Sequence, residues 1–169
     1  MKNLIKNEWR LLLFGFLMTF WSSPGQTFFI SLFSKAIRDD LGLSHSQFGG
    51  IYSLATLASA FVVIATGTLI DRIALPKFTA AVIISLAGAT YLLSVSQSLI
   101  LFIVALFLLR QCGQSLMMLT ATTTLVRYLE KDRGKATALG SMGYVASEAI
   151  MPSVLIALMA WVGWRYSLL

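Results

Sequence analysis

The sequence predicts an all-α protein, a polytopic transmembrane helix bundle of about five spans. Three observations carry this. Of 169 residues, 57% are hydrophobic and 12% charged, against about 45–50% and about 25% in soluble domains. The charges cluster, leaving uncharged runs at 11–34, 48–70, 78–109 and 136–164, the last interrupted only by Glu148. Each run reaches the roughly 20 residues a helix needs to cross a hydrocarbon core. Lysine and arginine, finally, fall unevenly between the two ends of those runs.

The first span is read over 11 to 34. It is too long and too polar at its centre for a cleavable leader, and no small-residue cleavage site follows it, so it reads as a retained helix. Its middle, Ser22-Ser23-Pro24-Gly25-Gln26-Thr27, sets a proline beside a glycine among polar side chains. Proline removes a backbone donor, and in a membrane such a break is tolerated only where protein or cavity water satisfies the freed groups. The segment therefore faces the interior. It either lines a cavity with Gln26 turned to substrate or only shapes packing.

The second span covers 48 to 70. Ser44 and Gln47 have capping-box spacing at its start, and His45 beside them reads as a solvated neighbour of the cap. Beyond residue 78 the apolar character passes Arg110 and continues to Val126, too far for one helix. The polar triplet Ser96-Gln97-Ser98 divides it into spans 78 to 95 and 99 to 126. A fifth span runs from 136 to 160. Small residues at Gly49 and Ser53, Ala55 and Ser59, and Gly140, Gly143 and Ser147 lie at spacings that let helix backbones approach closely. The lone Cys112 can form no intrachain disulfide and reads as packing.

With this alternation, Lys2, Lys6, Arg10, Arg72, Lys77, Arg127, Lys131, Arg133 and Lys135 share one side, while Lys35, Arg38 and Arg165 share the other. Positive loops tend to stay inside, so the N-terminus is expected in the cytoplasm and the chain in a plasma membrane, the inner membrane of a bacterium. The net charge of +6 then matches anionic lipid at the inner surface, and nucleic acid is not needed to explain it. No cluster of metal ligands or cofactor motif is present. Loops of about 2 to 13 residues hold no soluble catalytic domain, and nothing resembles a catalytic dyad, so an enzyme is not expected.

Arg110 and Glu148 are the exceptional charges, since ionisable groups inside a span are costly and mark polar pathways or internal pairs. At about 1.5 Å per residue, both lie roughly 16–18 Å from their helix ends, near the middle of a core about 30 Å thick. Gln114 stands one turn from Arg110 and Tyr144 one turn from Glu148, so each charge belongs to a polar stripe. A buried carboxylate can carry a proton, and a nearby arginine can lower its pKa or hold an anion. A permanent structural ion pair is the other reading.

Three motifs resemble the major facilitator superfamily of secondary transporters. The stretch Gly67-Thr68-Leu69-Ile70-Asp71-Arg72-Ile73-Ala74-Leu75-Pro76-Lys77 is similar to its loop signature of glycine, apolar residues, Asp-Arg, glycine and a basic pair. Ala74 replaces the usual glycine, and Lys77 stands alone where two basic residues are common. The resemblance implies that Gly67, Asp71, Arg72 and Lys77 belong to a loop controlling the switch between inward-facing and outward-facing states. Leu109-Arg110-Gln111-Cys112-Gly113-Gln114 resembles the family's arginine motif in the fourth helix, implicated in proton coupling. Arg133-Gly134-Lys135-Ala136, a glycine-rich fifth helix with Glu148 and Pro152, and Gly163-Trp164-Arg165 follow in the family's order, without its full antiporter signature.

The family has twelve helices in two six-helix halves, and the five spans here match an incomplete N-terminal half over residues 1–169. The resemblance implies a proton-coupled or facilitative transporter of a small-molecule substrate. An organic anion suits the fixed charge of Arg110. Substrate sites in such proteins lie between two repeats that rock against each other, so a C-terminal half or partner chain must supply the opposing wall. The alternative is a non-transporting assembly partner, or one half of a split transporter.

Overall fold

The computed structural model describes residues 2–169, and side chains from residue 4 onward. The described residues form helices and no strand. We number them α1 (Lys2–Phe20), α2 (Thr27–Leu41), α3 (His45–Gly67), α4 (Leu75–Ser94), α5 (Leu99–Tyr128) and α6 (Arg133–Val162). Four stretches, His45–Arg72, Leu75–Ser94, Leu99–Tyr128 and Glu130–Val162, are long and apolar enough to cross a membrane.

The span expected over 11 to 34 is divided. α1 loses helical geometry at Glu8 (φ −118°, ψ 23°), runs on to Phe20, and gives way to a 3-10 turn at Ser23–Gly25 before α2 begins. Proline at residue 24 explains the break. It leaves two helices shorter than the other spans, so length and hydropathy alone do not mark either as a crossing. α2 then reaches Leu41 and ends on Gly42, whose φ of 64° is a left-handed helix stop that glycine adopts without strain.

The second span begins at the capping box: Ser44 Oγ accepts from Gln47 N at 3.2 Å, and Gln47 Oε1 accepts from Ser44 N at 2.9 Å. Two N–H groups that the helix itself leaves without partners, those of Ser44 and Gln47, are thereby satisfied. Between α4 and α5, Ser98 caps the next helix by accepting from Leu101 N at 3.3 Å. α5 departs from α-helical geometry over Arg110–Met117, where it is π-helical. Such one-residue insertions cost hydrogen-bond geometry and concentrate at functional sites.

α1 lies between α6 and α5, and α5 is also flanked by α3 and α4. Buried Phe33, Phe102, Leu106, Leu109 and Leu93 form the centre. Large apolar side chains such as Leu54, Phe61, Ile64, Ile84 and Ile100 point outward. Lipid tails are as apolar as leucine, so burial alone does not draw such helices together and close packing and hydrogen bonds must. Gly15, Gly140 and Gly143 supply the packing between α1 and α6. A Cβ at Gly143 would collide with the Phe16 carbonyl oxygen. Thr19 Oγ1 donates across the same seam to the Gly140 carbonyl at 2.6 Å. Of the other small residues, Ala55, Ser59 and Ser147 are buried, whereas a Cβ added at Gly49 would have no neighbour within 4 Å, so that glycine takes no part in packing.

One end of the bundle is tied by Asp40. Its Oδ2 accepts from Trp164 Nε1 at 3.0 Å and Arg165 Nη2 at 3.2 Å, while Arg165 Nη1 donates to the Ser94 carbonyl at 2.8 Å. The ends of α2, α4 and α6 are thus held by one cluster.

Candidate functional site at the crossing of two broken helices

The break in the first span and the π-helical part of α5 meet at the centre of the molecule. Gly25 and Gly113 face each other there: a Cβ on Gly113 would stand 2.7 Å from Gly25 Cα and 2.9 Å from the Ser22 carbonyl oxygen. Two glycines therefore permit backbone contact between the two irregular segments.

Several polar groups of the break find partners, although Ser23 Oγ is buried with none among the described residues. Ser22 Oγ donates to the Thr19 carbonyl at 2.7 Å, and Gln26 Nε2 donates to Ser22 Oγ at 3.2 Å. Gln26 is 6% exposed. It is turned into the kink, and with Ser22, Ser23 and Gly25 it lies in the interior of the bundle. The Gly25 carbonyl accepts from Arg110 Nη1 at 2.9 Å.

Arg110 is the buried charge of this site, 3% exposed. Nη1 also reaches Thr27 Oγ1 at 3.4 Å, and the guanidinium lies 5.0 Å from the centre of the Tyr52 ring. A cation over an aromatic face gains about 0.5–2 kcal/mol, more when desolvated. Tyr52 Oη and Thr27 Oγ1 are 2.7 Å apart, and either hydroxyl can donate. Arg110 Nε is buried without a hydrogen-bond partner among the described residues.

Arg110 has no carboxylate within ion-pair distance among the described residues. The internal pair with Glu148 considered from depth is therefore not formed. Depth along a helix fixes height, whereas rotation about the axis fixes which neighbour a side chain meets. Glu148 is exposed on α6 with Tyr144 half-buried one turn before it. The Tyr144 ring packs edge-on against Phe28, centroids 6.2 Å apart. Gln114 is half-buried on α5. Glu148 is thus placed on the bundle's surface and Arg110 inside it.

Three participants escaped the sequence reading. Tyr52 covers Arg110. Gln111, 4% exposed, joins α5 to α3: its Oε1 accepts from Ser59 Oγ at 3.0 Å and its Nε2 donates to Thr66 Oγ1 at 2.8 Å. Gly113 provides the crossing. The adjacency of Gln111 to Arg110 was the available signal, since an α-helix would point neighbours about 100° apart and both are polar inside one span. Cys112 is buried, as packing requires.

At the basic end, Gly67 sits against Leu119, whose Cδ2 lies 3.2 Å from a Cβ built there. Asp71 Oδ1 accepts from Arg127 Nη2 at 2.7 Å, linking the short helix Leu69–Arg72 to the end of α5. Arg72 and Lys77 are not buried by this contact: Arg72 is exposed and Lys77 lies at the rim of α4. With its side chains 43% and 69% exposed, the Asp71–Arg127 pair is a weak tie. Asp71→Asn is expected to lower the unfolding free energy by no more than about 1 kcal/mol, measured in detergent by thermal unfolding. A larger loss would mean that the pair is shielded from solvent.

Fold and site together define a polytopic helical membrane protein whose two irregular helices cross at a buried cation. The sequence model of the Major Facilitator Superfamily matches residues 12–169, and the chain belongs to that family of transporters. No curated protein and no solved structure matches the chain.

Proposed function

We propose that this chain forms one wall of a proton-coupled symporter for a small organic anion. The observation that carries the reading is Arg110, a guanidinium buried at a helix crossing with no carboxylate beside it and an unpartnered Nε. A charge held in a membrane interior without a fixed counter-ion is costly. A mobile anion that binds and leaves relieves that cost in one half of a transport cycle. Planar guanidinium suits carboxylate better than an ammonium would.

Glu148 is assigned the proton, with Tyr144 beside it, and Gln114 is assigned to the substrate wall. Protonation would neutralise the carboxylate as the opposing repeat closes over it. That repeat, on this polypeptide or a partner, completes the site. Gly67, Asp71, Arg72 and Lys77 are assigned to the switching loop. The basic end is assigned to the cytoplasm, by the bias of positive loops, and the membrane is the inner membrane of a bacterium.

The test is uptake of labelled acetate, succinate and benzoate into liposomes by the assembled transporter, with and without a proton gradient. Glu148→Gln is expected to abolish the dependence on the gradient while leaving carboxylate binding within about threefold, since that substitution removes the titration and preserves shape. Gradient-driven uptake that survives in Glu148→Gln would take the proton away from this residue. Failure of every carboxylate to be transported or to compete would remove the anion.

A further inference from the structure

Arg110 can meet an anion only if something moves, because at 3% exposure it is closed off in this structure. Its surroundings are unequal. The Gly25 carbonyl and the Gly25–Gly113 backbone crossing cannot yield without parting two helices. Two side chains can: Thr27 from the first turn of α2, whose Oγ1 meets the same Nη1 as the Gly25 carbonyl, at 3.4 Å, and Tyr52 from the start of α3, joined to Thr27 by the 2.7 Å contact of their hydroxyls. Thr27 is exposed and Tyr52 half-buried, so these two side chains lead from the buried guanidinium to the surface.

We propose that Tyr52 and Thr27 form a side-chain gate over Arg110, with the hydroxyl contact as its latch. The inference rests on the reading of Arg110 as an anion-binding group and adds how access to it is controlled. Closed, the Tyr52 ring lies over the guanidinium at 5.0 Å and occupies the position an anion needs. Rotation of the ring away from Thr27 uncovers the face of the guanidinium over which it lies. An incoming carboxylate replaces the aromatic face with a charge-assisted pair, so it competes with the gate for the same cation. Tyrosine suits this role because its ring shields the charge from hydrocarbon while its hydroxyl sets how often the shield opens. The anchor is on α2 and the ring on α3, so any movement that parts these two helices also releases the latch.

The experiment measures the reactivity of Arg110 toward phenylglyoxal, a guanidinium reagent, in the whole chain in detergent. The Arg110 peptide is followed by mass spectrometry in wild type, Tyr52→Phe, Thr27→Val and Tyr52→Ala. Tyr52→Phe and Thr27→Val each delete one latch hydroxyl and keep the cover, and are expected to speed modification of Arg110 by about 2- to 10-fold, the weight of one ordinary hydrogen bond. Tyr52→Ala removes latch and ring and is expected to exceed both. If Tyr52→Ala fails to fold, the two hydroxyl deletions carry the test. Unchanged modification in the folded variants overturns the gate. Parallel reactions with succinate or benzoate separate the two ideas. Faster modification with no protection by either anion supports the gate and counts against the anion alone, whereas protection of wild type with no effect of the latch deletions supports the anion and overturns the gate.

Discussion

Gly113→Ala is expected to destabilise the bundle by about 3 kcal/mol or more, the upper end of overpacking effects. The added methyl would meet Gly25 Cα and N at 2.7 Å and the Ser22 carbonyl oxygen at 2.9 Å. These are backbone atoms, and none can rotate aside, so α5 must withdraw from the break in the first span. That withdrawal would also carry Arg110 away from the Gly25 carbonyl. The contrast with other glycines makes the prediction specific. At Gly140 the tightest neighbour is Leu125 Cδ1 at 2.5 Å, the far end of a flexible side chain, with the next atoms at 3.7 Å, so alanine there should cost about 1 kcal/mol. At Gly49, with nothing within 4 Å, alanine should stabilise by about 0.5–1 kcal/mol through helix propensity. Thermal unfolding of the three variants in one detergent orders them, and a wild-type midpoint for Gly113→Ala would refute the close crossing.

Arg110→Leu is expected to reduce carboxylate uptake, as kcat/KM, by about 30-fold to several thousand-fold, corresponding to the 2–5 kcal/mol of a buried charge contact. Two losses act together. On the proposed reading of Arg110 an anionic substrate loses its counter-charge, and the Gly25 carbonyl loses its donor, which for a buried acceptor costs about 1–3 kcal/mol. Arg110→Lys separates them. A lysine restores positive charge but cannot stack a planar cation on Tyr52 or donate in a fixed fork, so uptake should recover in part while anion selectivity falls. Measuring uptake beside unfolding decides between roles: equal losses of stability and unaltered uptake by the folded fraction of Arg110→Leu would make Arg110 a structural clasp for the kink.

Much of this architecture is legible along the chain because hydrocarbon imposes a simple rule. Backbone groups must be satisfied within each span, so long apolar runs become helices, and polar punctuation such as Ser44 to Gln47 and Ser96 to Ser98 falls between them. The break at Pro24 is equally local, since a missing donor disrupts the helix wherever the residue sits. Arg110 and Glu148 were conspicuous for the same reason, as charges in a solvent that penalises them. The family motifs then gave the chain its class, which the match over 12–169 establishes.

What the sequence by itself determined, then, is the solvent, the succession of helices, the place of the break and the two charges that stand inside apolar runs. Only the tertiary structure decided how those pieces face one another. The π-helical geometry of Arg110–Met117 has no local signature, because its cost in hydrogen-bond geometry is offset only by a neighbouring backbone, here the close approach at Gly25. The same holds for Arg110, which meets Gly25, Thr27 and Tyr52 and not Glu148. Residue counting yields height in the membrane. The rotation of each helix and the identity of its neighbours come from packing between segments 52 to 85 residues apart in the chain, as in the contacts of Gln111 with Ser59 and of Arg110 with Gly25.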